Sequence, residues 1–231
     1  MLAPRELTRR TDTKFVIASA QVGELLRALV DDFAVLLAGR ARIASYRTLY
    51  FDTANLDFFD AHLHGRRVRH KARIRHYPDR RLSTLEVRIR RSEIGTVKCR
   101  IAHPIDVSER SADDGAFVSL HTGFSQDLRP QAWTNFRRIT LLGLSTQERV
   151  TIDLDLAFEV NGIRRSLDST AIVEVKRWPF WPRTAVLSAM RAGGWRRRTL
   201  SKYCTAIALC RHELNLNRML PILRDLERST A

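Results

Sequence analysis

The sequence of 231 residues has little of what most often identifies a protein's class. Its three cysteines, Cys99, Cys204 and Cys210, are odd in number and lack CxxC or His-associated spacing, so they indicate neither a disulfide framework nor a zinc site. No run approaches the roughly 18 apolar residues that span a bilayer, and the N-terminus has no apolar stretch of signal-peptide type. These absences predict a soluble, cytoplasmic domain.

Familiar catalytic motifs are missing as well. The sequence contains no P-loop or GxGxxG, no GxSxG, no HExxH and no Cys/His dyad that spacing supports. Its seven histidines are scattered. Any catalysis must therefore depend on a different kind of constellation.

Basic residues, in contrast, are abundant. Lys and Arg number 40 against 25 Asp and Glu, which gives a formal net charge of +15 and predicts an anionic partner. Charge alone leaves nucleic acid, an anionic membrane surface and polyphosphorylated small molecules open. A hydrophobic content of 44% supplies a real core, and we expect one domain over residues 1–231.

Period-two alternation predicts a mainly antiparallel sheet of roughly eight strands with helices at the start, middle and end. The expected strands lie at about 13–18, 46–52, 67–77, 82–90, 96–102, 132–142, 148–160, 163–167 and 171–177. Helices are expected at 19–37, between Asp52 and Gly65, at 116–123, at 183–192 and at 201–228. An open sheet and a closed barrel both explain this alternation.

Charged residues recur at every second position of several predicted strands, so each strand presents them on one face. These runs are Lys71, Arg73, Arg75; Glu86, Arg88, Arg90; Lys98, Arg100; Arg149, Asp153, Asp155; and Glu174, Lys176. Three alternate cations repel one another unless an anion lies between them, and guanidinium groups suit phosphate oxygens. The basic runs therefore indicate either a phosphate cradle or the solvated face of an edge strand.

The carboxylates also have two interpretations. Asp153 and Asp155 share one predicted face and could bind a hard cation, or they could pair with neighbouring arginines. Glu86 could equally form cross-strand pairs with arginine. Glu174 lies between two valines, and a glutamate flanked in this way points into a polar interior more often than most surface glutamates do.

The final predicted helix begins at Ser201-Lys202-Tyr203, directly after the basic run 196–198. Backbone amides at a helix N-terminus, together with a hydroxyl and an ammonium, form a phosphate site. An N-cap with a solvated basic flank explains the same residues.

The order of these pieces resembles the VTC polyphosphate polymerase domain of the triphosphate tunnel metalloenzyme (CYTH-like) superfamily. The resemblance runs from about residue 8 to about residue 210. The matching segments are Lys14 in TDTKFVI, Tyr50-Phe51-Asp52-Thr53, KARIRHY, LEVRIR, VKCRI, Arg138 in NFRRIT, ERVTIDLD, VEVK and Ser201-Lys202-Tyr203.

The resemblance implies an α+β fold built on an eight-stranded antiparallel β-barrel, a tunnel with flanking helices. It implies an enzyme that transfers the γ-phosphoryl group of ATP to a polyphosphate chain with Mn²⁺ or Mg²⁺. Implied catalytic residues are Arg73, Arg75 and Lys202, and implied metal ligands are Glu174, Glu86 and Asp153. Implied phosphate-binding residues are Lys14, Lys71, Arg88, Lys98, Arg100, Arg138, Arg149, Lys176 and Ser201.

Some positions depart from the family pattern. Phe15 and Phe136 replace hydroxyl-bearing aromatics, His76 replaces a frequent tryptophan, and Arg88 stands where lysine is usual. Residues 8–14 lack the ExExK signature of the superfamily's cyclase and thiamine triphosphatase branch, which favours the polymerase branch.

Two other functions stay open from the sequence: hydrolysis of triphosphates in the same tunnel, and non-catalytic binding of polyphosphate or nucleic acid. A closed tunnel would disfavour duplex DNA. The family's phosphate-sensing and transmembrane domains are absent from the sequence, so export or regulation would require other chains, including a membrane-protein partner.

Overall fold

The computed structural model describes residues 11–91, 95–124, 128–177, 184–211, 213–214 and 216–228. In these ranges the chain forms one sheet in which every paired strand is antiparallel. The strands are β1 (Thr11–Ala18), β2 (Phe33–Val35), β3 (Ile43–Asp52), β4 (Val68–Tyr77), β5 (Leu82–Arg91), β6 (Gly95–His103), β7 (Arg129–Gly143), β8 (Arg149–Val160), β9 (Ile163–Leu167), β10 (Thr170–Arg177) and β11 (Arg197–Arg198).

Six α-helices accompany this sheet in the described ranges. They are α1 (Val22–Ala28), α2 (Asp57–Leu63), α3 (Ala112–Thr122), α4 (Ala185–Ala192), α5 (Lys202–Cys210) and α6 (Leu220–Arg228). The mainly antiparallel sheet with flanking helices is thus confirmed.

The sheet differs from the predicted eight-stranded barrel in strand number and in closure. Its order is β11-β1-β10-β8-β7-β3-β4-β5-β6, with β2 paired to β7 and β9 to β8. Eleven strands take part, and within the described residues no hydrogen-bonded ladder joins β6 to β11. Alternation reports which side each residue faces, but closure depends on curvature, so a closed barrel is not confirmed.

Two helix predictions were wrong in extent. The helix expected from Ser19 to Leu37 ends at Ala28, because Phe33–Val35 pair with Leu141–Gly143 instead. The helix expected over 201–228 is interrupted after Cys210. Beyond this interruption, Leu216 and Met219 join the same apolar cluster as α5.

The two faces of the sheet have different coverings. The outer face carries two apolar clusters, one beneath α1 and α4 that includes Phe15 and Ile152, the other beneath α3 that includes Ile74 and Val87. The opposite, inner face carries the alternate residues, and α5 packs against it over β7, β8 and β9. Apolar burial therefore holds α1, α3 and α4 on the outer face and α5 on part of the inner face, beside which the charged inner-face residues lie.

An irregularity in β8 changes one predicted position. Between Asn135 and Arg137 the β7–β8 register shifts by one residue, and Asp155 adopts a positive φ of 50°. Such a bulge turns a side chain out of the regular alternation. Asp155 is consequently exposed and pairs with Arg137, so the prediction that it shares a face with Asp153 was wrong.

Asp52 joins three elements through one buried carboxylate. Its oxygens accept hydrogen bonds from the backbone N–H groups of Phe58 and Phe59 in α2, each at 2.9 Å. The Tyr203 hydroxyl of α5 donates to Asp52 Oδ2 at 2.6 Å. Asp52 thus satisfies two N–H groups in the first turn of α2, whose N-cap residue is Leu56, and the same carboxylate fixes α5 against the end of β3.

Candidate functional site

The inner face gathers charged side chains from six strands and from the start of α5. Eight cations, largely shielded from solvent, face three carboxylates there. The cations are Lys14, Lys71, Arg73, Arg75, Arg88, Arg138, Lys176 and Lys202, and the carboxylates are Glu86, Asp153 and Glu174. Buried charges normally occur in pairs, so this excess of cations is unusual for a structural core.

Strands that are far apart in the sheet meet around the start of α5. Lys14 of β1 donates to the Leu200 carbonyl at 2.5 Å, and Lys71 of β4 donates to Ser201 Oγ at 2.9 Å. In the strand order, β1 and β4 are separated by four other strands. The inner face is therefore strongly concave, and the alternating charges converge without hydrogen-bonded closure.

Glu86 is held by arginines at the centre of this face. Arg73 Nε donates to Glu86 Oε2 at 2.9 Å, and Arg88 lies 3.7 Å from the same oxygen. Burial alone would raise the pKa of Glu86, but Arg73, Arg75 and Arg88 hold that pKa far below its usual range. Glu86 is thus ionised and fixes the position of Arg73.

Asp153 holds two further cations. Arg138 Nη2 donates to Asp153 Oδ2 at 2.8 Å, and Lys202 Nζ contacts the same oxygen. Burial opposes ionisation of Asp153, but Lys202 and Arg138 lower its pKa to about 2. The carboxylate therefore stays charged and orients the Lys202 ammonium, which lies 4.6 Å from the Phe136 ring centroid.

Three inner-face cations have no carboxylate within ion-pair distance among the described residues: Lys14, Lys71 and Arg75. Arg75 Nε donates to Thr48 Oγ1 at 3.1 Å, and its guanidinium lies 5.6 Å from the Tyr46 ring centroid. Arg75 is only 7% exposed. A buried guanidinium without an anionic partner is costly, which indicates that an external anion completes the site.

The excess charge perturbs its neighbours. Burial alone would raise the pKa of the Tyr50 phenol, but Arg73, Arg75 and Lys71 lower it to about 7. The pKa of Lys71 falls to about 8, mainly because the ammonium is buried, with Lys14 and Arg88 adding repulsion. Burial and Arg73 similarly lower the pKa of Arg88 to about 10. A bound polyanion would reverse these effects.

These pKa values predict the pH dependence of anion binding. Tyr50 loses its proton above about pH 7 and Lys71 above about pH 8, and each loss makes the site less positive. Tripolyphosphate affinity should therefore fall as the pH rises from 6 to 9, with proton uptake on binding. In the Tyr50→Phe variant the fall should begin about one pH unit later. Calorimetric titration in two buffers of different ionisation enthalpy measures both effects, and identical profiles for the two proteins would contradict the assignment to Tyr50.

Ser201 has two roles: it caps α5 and it contacts Lys71 of the inner face. Its Oγ accepts the backbone N–H of Cys204 at 3.4 Å while it accepts the Lys71 ammonium. The two sequence interpretations of Ser201, as an N-cap and as part of a basic site, are therefore compatible in one geometry. Lys202 follows it on the inner face.

Glu174 lies between two lysines and is the least engaged of the three carboxylates. Lys176 Nζ lies 3.3 Å from Glu174 Oε2, and Lys14 is its cross-strand partner. Burial would raise the pKa of Glu174, but Lys176, Lys14 and Lys202 hold that pKa well below its usual range. Thr151, opposite it on β8, has a buried hydroxyl without a hydrogen-bond partner.

The donor set limits how a metal could bind. Among the described residues no cluster of three or more His, Cys, Asp or Glu side chains could hold an ion. Glu86 and Asp153 each have two ion-pair partners, whereas Glu174 has one, Lys176, among the described residues. A hard divalent cation therefore fits here through Glu174 and the oxygens of a bound phosphate. Metal ligation by all three carboxylates stays a prediction.

Three predicted phosphate ligands lie at the rim. Lys98 and Arg100 are exposed on β6, opposite Arg88 and Glu86 on β5. Arg149 is exposed opposite Lys176. The structure thus brings together the predicted residues in the centre and leaves these three at the edge of the inner face.

The sequence interpretation did not assign site roles to several inner-face aromatics. Tyr50 Oη accepts from Arg73 Nη1 at 3.3 Å, and the Tyr77 hydroxyl donates to Glu86 Oε1 at 3.3 Å. Tyr46 stacks against Phe136 beneath Arg138. Alternation in β3 places Tyr46, Thr48 and Tyr50 on one face, and that signal could have identified them.

Across the described residues, no helix combines the length and the apolar character that a membrane span requires.

Comparison with solved structures shows a shared fold. A proposed adenylate cyclase from Bacillus halodurans aligns with a TM-score of 0.54 and 13% identity, covering 84% of this chain and 94% of the other. A proposed adenylyl cyclase from Hippeastrum with a dominant triphosphatase activity aligns with a TM-score of 0.52 and 17% identity, covering 90% and 97%. No curated protein matches the chain.

The family comparison confirms the resemblance that the ordered motifs predict. The VTC domain matches residues 9–211, a range that includes every inner-face charge described above. The chain therefore belongs to the VTC domain family.

Proposed function

We propose that this protein is a metal-dependent polyphosphate polymerase that transfers the γ-phosphoryl group of ATP to a polyphosphate chain. The observation that carries the proposal is the excess of buried cations on the inner face, above all Arg75, Lys71 and Lys14 without carboxylate partners. Membership of the VTC domain family supports a triphosphate as the anion that completes this site.

The proposed roles follow from position. Arg73, Arg75 and Lys202 are assigned to the reacting phosphoryl group. Glu86 and Asp153 orient Arg73 and Lys202, and Arg75 has no carboxylate partner among the described residues. The other cations and Ser201 grip the remaining phosphates, with Lys98, Arg100 and Arg149 at the rim. Phosphoryl transfer depends mainly on positioning and charge stabilisation, which needs no side-chain nucleophile.

Glu174 is the carboxylate that we propose to hold Mn²⁺ or Mg²⁺. Such an ion, when bound, neutralises developing charge on the phosphate oxygens. Lys14 and Lys176 flank Glu174 and hold it ionised, ready to bind the ion.

We further propose a single domain over residues 1–231. The cytoplasmic location and a membrane-protein partner stay predictions.

Triphosphate hydrolysis is a second candidate function. The Hippeastrum protein of the same fold has a dominant triphosphatase activity. The same cations would bind the triphosphate, and water would replace the phosphate acceptor. The two functions thus differ in what approaches the γ-phosphorus, a difference that the products reveal directly.

The deciding experiment incubates the protein with ATP and Mn²⁺ and separates the products on a gel. We expect polymer longer than triphosphate from the wild type, and about a 10²- to 10³-fold lower rate from Glu174→Gln. Glu159→Gln is the matched control, since Glu159 lies on β8 and pairs with the exposed Arg164. Circular dichroism checks that the variants fold.

Each outcome selects one function. Phosphate release without polymer would replace the polymerase by the triphosphatase. Tight tripolyphosphate binding without turnover would leave a binding module. Equal rates for Glu174→Gln and Glu159→Gln would remove Glu174 from the site.

A further inference from the structure

Arg69 and Arg90 continue the inner face beyond the site. Arg69 lies two residues before Lys71 on β4, and Arg90 lies two residues after Arg88 on β5. The two arginines are direct cross-strand partners. Residues opposite one another in an antiparallel pair share a face, so both project on the side of Lys71 and Arg88.

Arg69 is partly buried beside the end of α2. Its Nη1 lies 3.8 Å from the point where a β-carbon on Gly65 would sit, so the guanidinium rests against the turn that ends α2. Gly65 has a positive φ of 64° and follows the C-cap of that helix. Arg90, in contrast, is exposed. One arginine of the pair is thus partly buried, and the other extends into solvent, where a ligand can reach it.

No carboxylate compensates this pair within the described residues, where neither arginine has an ion-pair partner. Elsewhere in the sheet an exposed cross-strand arginine, Arg164, pairs with Glu159 at 2.8 Å. Like charges directly opposite each other destabilise a sheet. Burial and then Arg90 lower the pKa of Arg69, which is the expected sign of this repulsion.

His62 of α2 adds no positive charge of its own. Burial lowers the pKa of His62 to about 3, with repulsion from Lys71 and Arg69 adding to the shift, so this imidazole is neutral at physiological pH. The positive charge that extends from the centre of the inner face to this end of β4 and β5 comes from Lys71, Arg69 and Arg90. An uncompensated cation pair next to a phosphate-binding surface is suited to a polyanion that runs past it.

We propose that Arg69 and Arg90 form a second anion subsite that binds the segment of an inorganic polyphosphate chain beyond the phosphates at Lys71. This inference rests on the proposed function and specifies which part of the polymer the subsite holds. Successive same-face residues on a strand lie about 6.8 Å apart, so the subsite is one such step beyond Lys71. A triphosphate centred on Arg73 and Arg75 ends before it, whereas a longer chain reaches it.

The test compares tripolyphosphate with polyphosphate several tens of units long, each titrated into wild type and into Arg69→Gln/Arg90→Gln. We expect the double substitution to weaken long-chain binding about tenfold and to shift tripolyphosphate binding less than twofold. The slope of log Kd against log salt for the long chain should fall by about 1.4, as for two contacts to a single-stranded polyanion. Thermal unfolding checks that the variants fold. If the double variant does not fold, Arg90→Gln alone is tested, because this exposed side chain can be replaced without disturbing the core.

Arg164→Gln/Arg165→Gln is the matched control. It removes the same charge from exposed positions on β9, and long-chain affinity should change less than twofold. Three results would overturn the proposal. The control could lose as much long-chain affinity as the double variant, the double variant could weaken the binding of both ligands equally, or it could leave both affinities unchanged. A wild type that binds tripolyphosphate yet fails to make polymer contradicts the polymerase function alone, since the affinity comparison still decides the subsite.

Discussion

Replacing Arg75 with glutamine should reduce the rate of phosphoryl transfer about 10²- to 10³-fold without lowering the free energy of unfolding by more than about 1 kcal/mol. The reason is that Arg75 is buried and hydrogen-bonded to Thr48 but has no carboxylate partner among the described residues. Its removal relieves repulsion on the inner face while it deletes a charge aimed at the phosphate. Initial rates at saturating ATP and urea unfolding measure the two quantities.

Arg47→Gln provides the control for Arg75. Arg47 lies on the outer face of β3, where its guanidinium is 5.2 Å from the Trp133 ring centroid. The same charge is removed at a similar height in the sheet, but away from the site, so turnover should stay within twofold of the wild type. An Arg75→Gln protein that keeps more than a third of the activity would show that Arg75 does not stabilise the transferred group.

The second large effect concerns stability. Asp153→Asn should lower the free energy of unfolding by about 3–5 kcal/mol, because it leaves Arg138 and Lys202 buried without their carboxylate. Urea unfolding at neutral pH measures this loss. Tripolyphosphate should restore part of it, because an external anion can take the place of the lost charge. Asp155→Asn, two residues on at an exposed pair with Arg137, should cost less than about 1 kcal/mol.

The pH dependence provides an independent check on Asp153. Its folded-state pKa of about 2 lies below the ordinary value of 3.8, so its stabilisation is present above about pH 4 and is lost as the pH falls through 2. Between about pH 4 and pH 2, the free energy of unfolding of the wild type should therefore fall by on the order of 2 kcal/mol more than that of Asp153→Asn. Equal stabilities of the Asp153→Asn and Asp155→Asn proteins at neutral pH would contradict the role of the buried pair.

Alternation predicted the strands well because it is a local signal. The runs around Arg73, Glu86 and Glu174 each place charge on one face and Ile, Val or Leu on the other, as the apolar clusters on the outer face show. The Asn161-Gly162 hairpin was equally predictable, because both residues take the positive φ that such a turn needs. These features depend only on neighbours in the sequence.

The errors at Phe33 and Asp155 have nonlocal causes, whereas the error at the start of α3 was local. Phe33 satisfies a helical pattern, but pairing with β7 outweighs its helix propensity. Asp155 leaves its predicted face because β8 has one more residue than β7 at the bulge. For α3, predicted at 116–123, the reciprocal cap between Ser111 and Asp114 starts the helix at Ala112, and this signal was readable in advance.

For the site, the sequence predicted which residue types belong together but not how they pair. Spacing suggested a metal role for Asp153, yet contact with Lys202, 49 residues away in the chain, occupies its carboxylate. Likewise, the contact of Lys71 with Ser201 joins residues 130 positions apart. Such contacts follow from the curvature of the sheet, which no short window of sequence contains.

The position of β1 has a consequence for how the protein is made. This strand lies between β10 and β11, and Lys14 contacts a carbonyl 186 residues further along the chain. During synthesis β1 therefore has no strand partner until β10 and β11 have been produced, late in the chain. Contacts of such long sequence separation slow folding and leave an unpaired strand open to association with other chains. The cationic inner face, which needs β1 for Lys14, is thus among the last parts of the molecule to assemble.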